Sequence, residues 1–477
     1  MEHMIARQSE YLLQVKPQLK KLVELLKPHY DYVSVLATDV SGTSFRVSMR
    51  NTSISEYPDG ERGFVVRVYK DGGYSEYSFT DISDVNELAE TIRRTLDEQS
   101  AMLEGLGVRK LETPLEYEEK IIREFAGEIS EELYDLNNDE ILNKMKKLRD
   151  SGASYPGIID CMVSFMTEIN SKLFLSANKD LIQSWGVSFV SCALLAFKDG
   201  EIQYNNVGDT GWFGSELIER QECKLAKAYE DLMAMFGAPN IEPGEYEVIC
   251  TPEATGLIAH EAFGHGVEMD MFVKERAIAK QHMGEKLAST ITNMYDGAQG
   301  GIEQTASYFF DDEGTISGCT KILDNGYLVS GICDALSAAR LHVKPTGNGR
   351  RESFERKAYT RMTNTYFGTQ NNTVEEMIKS VRYGFLVDGM NSGMEDPKHW
   401  GIQCILSRAK EIKDGKLTGK MFTPVVLTGY VPDLLSNISM IGSDLELNGN
   451  GHCGKGYKEW VVVSDGGPYI KTKVRLG

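Results

Sequence analysis

Apolar positions in this chain change period along its length. Leu12, Val15, Leu19, Leu22, Val23 and Leu26 recur every three or four residues and predict an amphipathic helix over 9–28, with Pro17 as the point where a second helical segment would start. Alternation then takes over. Strands are expected at 32–36 and 45–49. A hairpin is expected where Phe64-Val65-Val66-Arg67-Val68-Tyr69 and 74–79 flank Lys70-Asp71-Gly72-Gly73. A helix over 81–98 follows, acidic in its first turn, as the helix dipole favours. A similar order returns: a helix at 139–148, strands at 158–167 and 172–176, strands at 187–197 and 202–204 around Lys198-Asp199-Gly200, and a long helix at 217–236. Residues 9–100 and 138–236 therefore read as two copies of one helix–hairpins–helix unit.

Ala238-Pro239-Asn240-Ile241-Glu242-Pro243-Gly244 carries turn residues and no apolar period, which marks a boundary. Beyond it, short strands alternate with glycine turns such as Asp312-Glu313-Gly314, Asp324-Asn325-Gly326 and Asp414-Gly415, and helices are expected at 252–263 and 373–384. The expected fold is α+β: an N-terminal α/β domain with internal duplication over residues 1–237, then a β-rich metal-binding domain over residues 238–477. Two cores suit a chain of 477 residues.

A net charge of −19 repels phosphate backbones and anionic lipid, so neither nucleic acid nor membrane is an expected partner. The basic run at 144–149 reads as the solvated face of a helix. The apolar run at 186–197 is too short to span a bilayer and reads as a buried strand. The 8 cysteines form no CxxC pair or disulfide framework and are expected to be reduced and mostly buried. Residues 1–7 lack an apolar signal region, so a cytoplasmic location is expected.

Chemistry enters at Pro252–Asp270. Pro252 suits a first helical position, and the segment contains His260-Glu261-Ala262-Phe263-Gly264-His265. Two imidazoles beside a carboxylate suit Zn2+, with Glu261 as general base toward a water. The usual spacing for such a pair is i, i+4. Here it is i, i+5, which on an ideal helix separates the rings by roughly 140°. The backbone must widen or break, and Gly264 and Gly266 are the expected means. His282, His342, His399, His452 and the cysteines are candidates for a third ligand. The setting of Cys453 in Gly449-Asn450-Gly451-His452-Cys453-Gly454-Lys455-Gly456 favours it: a glycine-rich loop can approach closely, and Lys455 would favour the thiolate. A zinc deaminase would pair H-x-E with P-C-x-x-C, which this chain lacks.

These residues resemble the TldD/PmbA family of metallopeptidases, TldD-type branch, over nearly the whole chain. The resemblance rests on His260–Asp270, Asp311-Asp312-Glu313-Gly314-Thr315, Thr346-Gly347-Asn348-Gly349-Arg350-Arg351-Glu352-Ser353, Arg361-Met362-Thr363-Asn364-Thr365-Tyr366 and Gly451-His452-Cys453-Gly454-Lys455, in family order. It implies zinc held by His260, His265 and Cys453, a two-domain fold, unstructured peptides as substrates, and a homodimer or a heterodimer with a paralogue. A non-catalytic partner subunit is the alternative, disfavoured by the intact His-Glu-His set. Tyr457-Lys458 stand where the family usually has Gly-Gln, and 289–306 is longer than usual; both are expected to reshape the substrate channel. Arg350, Arg351 and Arg361 are candidates to line the peptide path, with Asn364 and Thr365 bonding its backbone; the competing reading makes them internal ties of the β-rich domain. Tyr366 and His342 are candidate oxyanion donors.

Overall fold

Ser9 opens the first helix: its hydroxyl accepts a hydrogen bond from the Leu12 amide, and α1 runs over Glu10–Leu26 with the whole apolar stripe buried. Pro17 does not divide it. The proline lies on the exposed face, where the carbonyl it frees stays in water while the packed stripe holds one continuous helix. The computed structural model describes residues 3–107, 112–115, 117–299 and 303–477; part of the longer-than-usual 289–306 segment, residues 300–302, lies outside them.

α1, β1 (Tyr32–Val47), β2 (Glu61–Lys70), β3 (Gly73–Phe79) and α2 (Val85–Gly105) form the first unit. The second consists of α3 (Asn138–Ala153), β4 (Ile158–Ser176), β5 (Lys179–Lys198), β6 (Glu201–Gly211) and α4 (Glu222–Met235). In an eight-stranded sheet, the six long strands lie in the order β6-β5-β4-β1-β2-β3, which is symmetric about the β4–β1 seam. The two outer hairpins turn at Asp71-Gly72 and Asp199-Gly200, with φ of +52° and +76°, and +51° and +86°. Those are the left-handed pairs that two-residue type I′ turns require. The repeated Lys-Asp-Gly thus marks equivalent corners of a duplicated domain. One apolar cluster packs α1 and α2 on the sheet, and another packs α3 and α4.

Pairing also corrects the expected strand breaks. Strands at 32–36 and 45–49 are one strand, β1, and those at 158–167 and 172–176 are one strand, β4. The two run antiparallel from Ser34↔Ser176 to Val47↔Val163, so the ladder carries Ser41-Gly42-Thr43 in extended form. Only glycine fits at 42, since a Cβ there would meet the Thr167 carbonyl oxygen at 1.9 Å. The helix expected at 217–236 is split at buried Gln221, whose side-chain amide donates to the Leu217 carbonyl. Residues 181–190 of β5 are buried, as a strand there should be. No helix of the described residues is long and apolar enough to cross a membrane. All 8 cysteines are free and most are buried; Cys223 and Cys319 are the exposed ones.

In the C-terminal half, a nine-stranded sheet holds β7 (Gly244–Cys250) in its interior and β8 (Ser392–Asp396) at one edge. A six-stranded sheet ends on the hairpin of β9 (Glu446–Lys455) and β10 (Glu459–Gly467). The last strand, β11 (Ile470–Leu476), pairs with β7. The helix expected at 373–384 is only Val374–Lys379, because Tyr383–Asp388 is a buried strand running parallel to β7.

The largest apolar cluster takes only residues from Ile241 onward, and the two N-terminal clusters end at Leu232. On that ground we propose the division into 1–237 and 238–477. The halves meet through smaller clusters: Phe310 packs with Leu36, Val65, Phe125, Phe174 and Leu181, and Tyr308 packs near Trp185 and Trp212. Asp311-Asp312-Glu313-Gly314-Thr315 is the plug between them. Asp311 accepts the amides of Glu313, Thr315 and Gly349, Asp312 pairs with Lys172, and Glu313 pairs with Arg67. Arg351 binds Glu76 across the same junction. Losing one partner of such a buried pair strands the other charge.

Candidate metal centre

Thr251 caps the helix α5 (Pro252–Leu257), with Pro252 in its first turn. The helix then widens to a π-helix over Ile258–Gly264, and the His265 amide donates to the His260 carbonyl. A turn that closes on i+5 brings two residues of that spacing to the same side. The His260 and His265 rings lie 5.0 Å apart, centroid to centroid. The flanking glycines act differently from expectation. Gly264 has helical φ and ψ of −58° and −50°, and it is there for space: a Cβ would meet Met362 Sδ at 2.2 Å. A Cβ at Gly266 would meet Glu395 Oε1 at 2.5 Å.

Cys453 sits on a strand, not in a loop. Gly449–Gly456 lies almost wholly in β9, paired with β10 and closed by a turn in which Gly456 and Lys458 have φ of +63° and +62° and Tyr457 stands exposed. Cys453 Sγ is 3.7 Å from His265 Nε2. One donor atom from each of His260, His265 and Cys453 lies within 4.8 Å of the others. Zinc–nitrogen and zinc–sulfur bonds at a tetrahedral angle would set N and S about 3.6 Å apart, so the spacing suits a shared ion. His260 Nδ1 is buried without a hydrogen-bond partner. Two imidazoles and a thiolate are a borderline-soft set that fits Zn2+ with one position left open.

Electrostatics support these donors. Burial pushes the Cys453 thiol up, but the facing His265 and His260 rings outweigh it and hold the thiol well below its usual range. Lys455, expected from sequence to favour the thiolate, is not the cause; its ammonium pairs with Glu268 at 3.0 Å and Asp270 at 2.7 Å. Glu268 Oε2 in turn lies 3.1 Å from His265 Nδ1, which turns Nε2 toward Cys453. Asp465 Oδ2 stands 3.9 Å from His260 Nδ1. A carboxylate within hydrogen-bond reach of the far ring nitrogen, as Glu268 is of His265, orients a ligand imidazole. Glu268→Gln is therefore expected to weaken metal affinity by ~10–100-fold, measured by chelator competition; unchanged affinity would mean that His265 needs no such orientation.

Glu261 Oε2 is 4.0 Å from His265 Nε2. The backbone of Gly393 on β8 packs against the Glu261 side chain, so that a Cβ at 393 would meet Glu261 Cγ at 2.3 Å. A cavity of about 900 Å³ opens over these groups, bordered by Ser392–Glu395, Arg276, Tyr359 and Trp460. Burial pushes the Glu395 carboxyl up to about 8.

The other sequence candidates lie elsewhere. Arg361 is fully buried; its guanidinium donates to the Cys453 and Glu459 carbonyls and clamps the hairpin that carries the thiol. Asn364 and Thr365 are fully buried too, bonded to Gly297, Ser307 and Asp296. These three do not border the metal cavity, and their bonds are internal ties of the β-rich domain. Arg350 reaches the Met362 and Val462 carbonyls, and with Arg351 it lines a neighbouring cavity. The Tyr366 hydroxyl lies against Cys319, and His342 ends the helix Ala335–Leu341 beside a different cavity. His282 and His399 pair with Glu285 and Asp396. Sequence reading missed Glu268, Glu395 and Asp465. Only Glu268 left a signal, three residues after His265 within the most distinctive block.

Residues 243–474 match the profile of the PmbA/TldA metallopeptidase C-terminal domain, and 40–98 match PmbA/TldA metallopeptidase domain 1. A metalloprotease of Methanothermobacter thermautotrophicus is 27% identical over 442 residues, covering 91% of this chain and 93% of that protein. A protein named zinc metalloprotease TldD homolog, from Saccharolobus solfataricus, is 24% identical over 348 residues, 71% of this chain and 75% of that one. The fold matches the crystal structure of TldE from Thermococcus kodakarensis with a TM-score of 0.72 at 17% identity, covering 96% of this chain and 100% of that one. A duplicated N-terminal domain, a β-rich partner carrying the His-Glu-His segment, and matches to two of the family's domain profiles agree, and the chain belongs to the PmbA/TldD metallopeptidase family.

Proposed function

We propose that the protein is a zinc-dependent peptidase that hydrolyses unstructured peptides with Glu261 as general base. The observation that carries this reading is the Glu261 carboxylate on the cavity wall beside the His260, His265 and Cys453 donors. Zinc bound by those donors would act as a Lewis acid toward water and the peptide carbonyl. In this reading Glu261 takes the proton of the attacking water and returns it to the departing amine. The edge strand β8 borders the same cavity. An extended peptide adds to such an edge through main-chain hydrogen bonds, which gives little sequence preference.

The name of the Saccharolobus relative supports zinc as the ion, and the fold shared with TldE supports pairing with a paralogue as one arrangement, a homodimer being the other. Either would enclose the site and spare folded proteins, as a cytoplasmic peptidase must. The zinc-loaded protein is expected to scatter light as a dimer and to digest an unfolded protein while sparing its folded form. Stoichiometric zinc without hydrolysis of any unfolded substrate would instead favour a non-catalytic partner subunit.

A further inference from the structure

We propose that a second cavity, adjoining the metal centre, is a subsite for a cationic group of the peptide, with Glu61 and Glu168 of the N-terminal domain as its recognition residues. This rests on the peptidase reading and adds a preference to it. The cavity, about 380 Å³, lies between the two domains. His452 and Trp460 border both it and the metal cavity, which places the two side by side.

The charges on its wall do not balance. Its three basic side chains are committed: Lys172 to Asp312, Arg351 to Glu76, and Arg350 to the Met362 and Val462 carbonyls. Among the acids, Asp311 holds backbone amides and Glu352 accepts the Trp460 amide. Glu61 and Glu168 remain, together with the exposed Asp59. Glu61 accepts the Phe354 amide at 3.0 Å, and Glu168 is held by Tyr57 and Asn170, all neutral donors. The cation that both carboxylates feel, Lys172, is bonded to Asp312. Burial pushes both carboxyls up, Glu61 to about 7, and an entering cation would oppose that shift.

Two more groups on the wall lack partners. The Trp185 indole N–H and the Thr305 hydroxyl belong to residues only 5% and 8% exposed, and neither makes a hydrogen bond. Buried polar groups are ordinarily satisfied, so a rotation of either side chain toward the cavity would offer a ligand a bond that the protein itself leaves unmade. The indole can donate only, and the hydroxyl can donate as well; both suit peptide carbonyls, while the two carboxylates suit a cation. A bare metal ion fits poorly, because the one cluster with metal-ligand spacing among the described residues is that of His260, His265 and Cys453. The cation is an ammonium or guanidinium, from a lysine or arginine side chain or from the peptide's own amino terminus.

The test is calorimetric binding to zinc-loaded Glu261→Gln protein, so that turnover does not intrude. Three short peptides are compared: an acetylated one with lysine, its acetylated norleucine analogue, and the norleucine peptide with a free amino terminus. At least one cationic peptide is expected to bind about tenfold or more tighter than the acetylated norleucine peptide, as a desolvated charge pair allows. Which one does so identifies the source of the cation. Adding Glu61→Gln and Glu168→Gln should bring the preference within about twofold; should that variant not fold, Glu168→Gln alone carries the comparison. Equal binding of all three peptides, or a preference that survives the carboxylate substitutions in folded protein, would overturn the proposal. Hydrolysis of the norleucine peptide by wild-type enzyme tests the peptidase reading separately, so either idea can fail while the other stands.

Discussion

Glu261→Gln is expected to lower peptide hydrolysis by at least ~100-fold, the usual scale of general-base loss, while leaving zinc content and thermal stability at wild-type values. Glutamine keeps the size of the side chain and its contact with the Gly393 backbone, which involves Cβ and Cγ and not the carboxylate alone. Glu261 is not among the three clustered donors, so the metal should stay. What disappears is the capacity to accept a proton. Metal content and rate must be measured on the same preparations. A near wild-type rate with zinc bound would remove Glu261 as the base and with it the assignment of this site as a peptidase centre.

Cys453→Ala is expected to lose both tight zinc binding and activity. The thiolate is the one sulfur among the three donors, is only 3% exposed, and supplies the negative charge that two neutral imidazoles lack. The loss should exceed the ~100-fold that removal of an outer carboxylate costs. The strand itself should survive, because Arg361 holds the backbone carbonyl of residue 453 and not its side chain. Unfolding temperature then separates loss of metal from loss of fold, and cobalt-substituted protein provides a direct readout through its thiolate-to-metal absorption. His260→Ala should behave in the same way. Stoichiometric zinc in Cys453→Ala would show that another residue is the third ligand.

The duplicated domain was legible because its signals are local. A stripe such as Leu12–Leu26 reports one buried helix face, and each Lys-Asp-Gly reports a turn whose left-handed φ values few other residues adopt. Strand continuity was not legible. Ser41-Gly42-Thr43 reads as a turn by itself and is extended only because β4 lies beside it. The basic run at 350–361 divided for the same reason. Residue type suggested a peptide path, whereas burial made Arg361 a clamp and Arg351 a tie between the domains.

At the site, residue type and spacing determined the candidates: two imidazoles, an adjacent carboxylate and a distant thiol. The i, i+5 interval also required a departure from the α-helix, because side chains follow the helical period. Which departure it is, a π-turn with glycines chosen for space, was decided by Met362 and Glu395 packing against Gly264 and Gly266. The Glu268–Lys455 pair, Asp465 beside His260 and the edge strand over Glu261 come from separate parts of the chain. Sequence period reports how each segment meets its own surroundings. Which segments become those surroundings is settled only when the two β-sheets close on the helix between them.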